Sequence, residues 1–255
     1  MKQKSFSAAL AAASLASFAA QAETVVAQTA EHRYQLDLHV NDAALAKFLP
    51  AGWAPDVATQ GPAKDCNVRL IFVERVAVLG GDGKPVSPPT QRLAYLAVPV
   101  KQAGTGATGQ IIIHGLSDAA SDVPGAFGVN QLATKVKTAR SQSASGGKVE
   151  GKEDWSLAAA TGEHFELHVT YEPAVFLMRG GDTKFFSPTD PSQYQVVKAN
   201  QVLDIQRNTT TNPPDRVKHF AWKAGGGRIA SLFDGSEKVL SWDLFPLVTT
   251  TVTTP

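Results

Sequence analysis

Along much of this chain apolar and polar residues alternate with the period of two that a half-buried strand imposes. Residues 34–40 set the pattern, with Leu36, Leu38 and Val40 on one face. Residues 67–79, rich in Val, Ile and Phe, predict a long strand that ends at the turn Gly80-Gly81-Asp82-Gly83. Further strands are expected over 92–100 and 110–114, and the segments 155–160 and 164–171 read as a hairpin joined by Thr161-Gly162-Glu163. Residues 193–207 form another extended run, with shorter ones over 217–222, 228–233 and 247–252. Helix signal is thin. Asn41-Asp42 caps a short helix over 43–49 that Pro50 and Gly52 stop, residues 128–140 have helical composition, and 236–242 have the length of a turn or two. The polar, Gly-rich stretch 141–151 reads as an exposed loop. The expectation is one mainly β domain with a few short helices and no repeat of fixed period.

The first residues carry a different message. Lys2 and Lys4 precede an apolar run over 6–19, and Ala20-Gln21-Ala22 offers the small residues a signal peptidase requires. Residues 1–22 are therefore expected to be a signal peptide cleaved before Glu23, leaving 23–255 as the mature domain in the periplasm or outside the cell. The apolar run is shorter than the ~20 residues a bilayer helix needs, so stable membrane insertion is not expected.

Composition narrows the function classes. Of 255 residues, 43% are hydrophobic and 18% charged, which excludes a disordered chain. A net charge of +1 without a basic block gives nucleic acid no electrostatic footprint. The lone cysteine, Cys66, excludes an internal disulfide and a multi-cysteine zinc site, and its place at an apolar strand suits a packed thiol. His164, Glu166 and His168 share one strand face, but a rise of ~3.3 Å per residue spreads the two imidazoles ~13 Å apart, too far for one metal. No metal and no cofactor is expected. Gly225-Gly226-Gly227-Arg228 lacks the spacing of a phosphate loop and reads as a hairpin turn. No G-x-S-x-G is present.

His114 follows Ile111-Ile112-Ile113 and precedes Gly115, where a buried strand emerges. It suits either a pocket rim, where it would titrate near neutral pH, or a satisfied strand end. Lys135 and Lys137, near Arg140, suit a solvated basic face.

Several blocks, in order, resemble the acetoacetate decarboxylase-like family. Asn41-Asp42 through Leu49-Pro50-Ala51-Gly52 is similar to its short helix and Leu-Pro-x-Gly turn. Residues 68–74 and Tyr95-Leu96-Ala97-Val98-Pro99-Val100 are similar to its paired signature strands, residues 109–118 to the strand that follows, and Arg228-Ile229…Leu232-Phe233-Asp234-Gly235 to its closing segment. The resemblance implies a closed, cone-like β-barrel able to hold one small ligand. It also implies a Schiff-base lysine, and there the chain departs. Asn130 and Gln131 stand where the family has paired lysines, and Leu93 where it has an acidic residue. An amide cannot form an imine, so the expected function is binding of a small carbonyl- or carboxylate-bearing molecule, with Tyr95, His114, Asn130 and Gln131 in the pocket. The alternative is a lyase, decarboxylase or hydratase using His114 or Lys135. The expected partner is the small molecule, and a homo-oligomer is compatible with everything above.

Overall fold

The computed structural model describes residues 23–173, 176–208 and 216–255. The expected signal peptide lies outside the described residues. Twelve strands follow in chain order: β1 (Thr24–His39), β2 (Trp53–Pro55), β3 (Val68–Gly80), β4 (Gln91–Gln102), β5 (Thr108–Ser117), β6 (Asn130–Ser145), β7 (Lys148–Ala159), β8 (His164–Tyr171), β9 (Leu177–Phe186), β10 (Tyr194–Asn208), β11 (Val217–Gly225) and β12 (Lys238–Thr254). A short helix, α1 (Asp42–Leu45), is capped by Asn41, whose side chain accepts from the Ala44 amide.

The pairings close a ring. Going round, β1 is bonded to β3, β3 to β4, β4 to β5, β5 to β9, β9 to β10, β10 to β12, and β12 back to β1. The β5–β9 contact is parallel and brief, with Gln110 opposite Phe185 and Ile111 opposite Phe186. Of the remaining strands, β2 pairs with β4, while β6, β7, β8 and β11 make an antiparallel sheet that joins the ring through a parallel ladder, Gly115 opposite Asn130 and Leu116 opposite Gln131.

The apolar core lies outside the ring, between its wall and this second sheet. On β1 the buried Tyr34, Leu36 and Leu38 belong to the main apolar cluster, as do Leu70 and Phe72 on β3 and Leu96 and Val98 on β4. They meet the other sheet ring to ring: Phe72 lies 5.8 Å from Trp155, Tyr34 6.3 Å from Tyr171, and Phe220 4.3 Å from Trp242. Successive strand residues point to opposite faces, so β1 sends Glu31, Arg33, Gln35 and Asp37 into the barrel. On β1 the pattern is inverted relative to a solvated sheet: its polar face is inside, beside an apolar cluster of Ile71, Val73, Leu93, Tyr95 and Ala97.

A buried carboxylate ties the two layers together. Glu153 on β7 is fully buried and accepts hydrogen bonds from His32 Nε2 (2.7 Å), Trp155 Nε1 (3.0 Å) and the Tyr171 hydroxyl (3.1 Å).

Four local expectations are corrected. Residues 128–140 are not helical: from Asn130 onward they are β6, because pairing with both β5 and β7 outweighs propensity. Residues 141–151 are not a loop but the far end of the β6–β7 hairpin, turning at Gly146 and Gly147. Residues 236–242 enter β12 instead of coiling. The segment 228–233 is a 3₁₀ helix (Gly227–Leu232), not a strand. The glycines before it are selected by close packing, since a Cβ on Gly226 would stand 2.0 Å from the Gly162 carbonyl oxygen.

Candidate binding cavity

The ring encloses a cavity of about 680 Å³ to which every barrel strand contributes. Its wall holds four arginines, Arg33, Arg69, Arg75 and Arg179, and among the lining residues there is no lysine.

One charged cluster forms where β1 and β3 run side by side. The buried Glu31 carboxylate takes Arg33 Nε at 2.6 Å, Arg75 Nε at 3.3 Å and the Thr29 hydroxyl at 2.6 Å. Burial pushes this carboxyl up, but the Arg33 and Arg75 guanidiniums and the hydrogen bonds from Thr29 and Arg33 outweigh it and hold it below the usual range. Arg75 also reaches Asp122 at 3.5 Å. Tyr95 lies in the field of Arg33, Glu31, Arg75 and Arg69, and burial pushes its phenol up, so it is a neutral O–H at physiological pH.

A second cluster is built on β1, β3 and β12. Asp37 accepts from Ser241 Oγ at 2.5 Å and Gln35 Nε2 at 2.9 Å, and Arg69 Nε lies 3.3 Å away. Cys66, buried beside it, donates its thiol to the Val68 carbonyl, and burial pushes that thiol up to about 12. It is a packed thiol and no nucleophile. Asp243 projects from β12 into the same space.

The residues singled out in the sequence divide between the two sides of the wall. Tyr95, Leu93 and Asn130 face the cavity. Asn130 fits because its opposite number on β5 is Gly115, and its Nδ2 donates to the Asp122 carbonyl at 3.1 Å. Gln131, its neighbour, points the other way, where its Oε1 accepts from the Thr161 hydroxyl at 2.7 Å and its Nε2 lies 3.5 Å from Glu163. Lys135 is exposed on β6, away from the cavity.

His114 also leaves the cavity, and the cause is a β-bulge. Ala97 stands opposite Ile112 while Leu96 stands opposite His114, so Ile113 is an extra residue on β5. Gln110 and Ile112 face the cavity, and after the bulge His114 faces the core instead. It is fully buried, its ring 6.0 Å from Phe165, with no hydrogen-bond partner at either nitrogen. Burial, aided by Arg228 and opposed by Glu163, pushes its pKa down to about 4. A neutral, sealed imidazole without a hydrogen-bond partner stands where the sequence suited either a pocket-rim histidine or a satisfied strand end.

The second strand-face constellation resolves into separate contacts. His168 Nδ1 lies 2.6 Å from Asp154, whereas His164 Nδ1 lies 3.2 Å from the Gly162 carbonyl.

Sequence reasoning missed the arginines. The signal was present in Glu31, Arg33, Gln35 and Asp37 at alternate positions, but a polar strand face reads as solvent-facing unless the ring is known to close.

This fold, a closed seven-strand ring backed by a second sheet, is similar to that of acetoacetate decarboxylase-like enzymes. Two solved structures illustrate the likeness. The enduracididine biosynthesis enzyme MppR complexed with pyruvate superposes with a TM-score of 0.53 at 11% identity, over 93% of this chain and 91% of that one. An acetoacetate decarboxylase-like enzyme from Sphingomonas wittichii RW1 gives a TM-score of 0.53 at 13% identity, over 91% and 92%. No protein-family model and no curated protein matches the sequence. Among the described residues no helix is long and apolar enough to cross a membrane.

Proposed function

We propose that this protein is an exported barrel that binds a small organic carboxylate, with or without a neighbouring carbonyl, and forms no imine with it. The observation that carries the reading is the cavity wall: four arginines and no lysine. Guanidinium groups bind carboxylates through paired, charge-assisted hydrogen bonds, and they are not nucleophiles at physiological pH. Three of the arginines are already matched by Glu31, Asp37 and Asp122, whereas Arg179 has no carboxylate within ion-pair distance among the described residues. With the fourth carboxyl of the wall, Asp243, favoured as the neutral acid by burial, one positive charge is left, which suits a monoanion. MppR, similar in fold, is complexed with pyruvate, which makes pyruvate the first probe to use.

The rival reading, a lyase or hydratase using His114 or Lys135, needs one of those side chains at the ligand. Both lie outside the cavity.

The test is calorimetry of the mature protein against pyruvate and other 2-oxo acids, followed by borohydride reduction and mass spectrometry. Saturable binding without a reduced adduct is expected. A lysine trapped by borohydride overturns the imine-free reading, and silence across the panel overturns the binding function. Export is tested separately, by N-terminal sequencing, which is expected to start at Glu23.

A further inference from the structure

Asp243 is one of the wall residues, with Gln110 and Asp122, that bury a polar oxygen without a hydrogen-bond partner. It is 7% exposed, faces the cavity, and its Oδ1 is sealed from solvent without a hydrogen-bond partner. A sealed carboxyl oxygen that receives no hydrogen bond disfavours the charged form, so this placement favours the neutral acid and leaves the other oxygen, Oδ2, to meet a ligand. The groups around it are Asp37 on β1, Arg69 on β3, Arg179 on β9 and Asp204 on β10, the last held by Arg216 at 2.6 Å. The oxygens of Asp37 are both engaged, by Ser241, Gln35 and Arg69. The charged neighbours of Asp243 thus include a satisfied carboxylate, Asp37 with its partner Arg69, and the guanidinium of Arg179.

We propose that Asp243 and Arg179, backed by the Asp37–Arg69 pair, form a ligand subsite in which the Asp243 carboxylic acid donates a hydrogen bond to the carbonyl oxygen of a 2-oxo carboxylate. This rests on the cavity being the ligand site. An ionised side chain here would repel the ligand; besides the sealed Oδ1, burial and the neighbouring Asp37 favour the neutral acid, against Arg69 and Arg179. Asp243 and the cavity-facing Gln35 and Ile205 lie side by side on three adjacent strands, so the carboxyl is held on rigid backbone. The subsite distinguishes a 2-oxo acid from a ligand carrying an ammonium group, which would need the ionised carboxylate.

The experiment compares wild type, D243N and D243L by pyruvate calorimetry at pH 6.0 and 8.5, with ligand-free infrared spectra and thermal unfolding. Wild type is expected to show the band of a protonated carboxyl near neutral pH, absent from both variants, and to bind more weakly at the higher pH. D243L, with no donor, is expected to lose roughly tenfold in affinity. D243N, which keeps a donor, loses less and becomes insensitive to pH. Neither variant is expected to melt below wild type without ligand. Pyruvate binding with no carboxyl band, unchanged affinity in D243L, or a lower melting temperature in both variants overturns the subsite alone. A wild type that keeps the band but binds no 2-oxo acid overturns the cavity reading, and the subsite with it.

Discussion

Gly115 and Asn130 face each other across the parallel β5–β6 ladder so closely that a Cβ on Gly115 would stand 2.3 Å from Asn130 Oδ1. The same Cβ would lie 3.3 Å from Tyr95 Cβ. Gly125 presses from the other side, 2.7 Å from Asn130 Nδ2 by the same construction. The absence of two side chains thus fixes where the Asn130 amide stands in the cavity. Gly115→Ala is expected to displace that amide and to cost about 1–3 kcal/mol of stability through overpacking, read by chemical denaturation. Pyruvate affinity should fall with it.

Asn130 and Lys135 lie five residues apart on β6, but only Asn130 reaches the cavity. Asn130→Leu is expected to fold and to weaken pyruvate binding by about 1–3 kcal/mol, the cost of an unmade hydrogen bond. Lys135→Ala is expected to leave binding within twofold. Calorimetry on the pair decides it: a damaging Lys135→Ala beside a silent Asn130→Leu would contradict this placement.

His114 gives a pH signature. Its folded-state pKa of about 4 lies below the 6.5 of a free imidazole, so acid between those values protonates the unfolded chain first. Stability attributable to this residue is whole above pH 6.5 and drains away as the pH falls towards 4, by about 3 kcal/mol in all. His114→Leu is expected to flatten this part of the stability profile. Urea unfolding at half-unit pH steps measures it, and an unchanged slope would sink the assignment.

Glu153 is a different kind of buried charge. Of its three donors, His32 reaches across from the barrel wall, while Trp155 and Tyr171 bond it within the second sheet. Glu153→Leu leaves all three unpaired and is expected to cost about 3–5 kcal/mol, seen as a lower denaturation midpoint. Activity or binding measured on surviving folded protein should change little, because the cluster lies behind the wall.

The β character and the ring-forming strands were legible because residues 34–40 alternate and residues 67–79 and 92–100 are runs rich in apolar residues, buried on both faces over 70–73 and 93–98. The hairpin 155–171 was legible for the same reason, with Gly162 marking its turn. Residues 128–140 misled because Leu132, Ala133 and Lys135 are good helix formers, and only pairing with β5 and β7 makes them a strand. His114 misled through a single inserted residue, Ile113, which strand periodicity cannot anticipate. The arginine-lined interior was hidden because the pattern marks two faces of a strand without saying which one meets water.

The siting of the core on the barrel's outer surface has an evolutionary consequence. Foldedness is carried by Leu36, Leu70, Phe72 and their partners on the second sheet, while Glu31, Arg33, Arg69 and Tyr95 look inward from alternate positions on the same strands. Selection can therefore rewrite one side of each strand while the other is held still. Substitutions on the inward side can change what the cavity binds while the outward side keeps the shape, because the positions that face the cavity and those that face the second sheet are interleaved along the same strands.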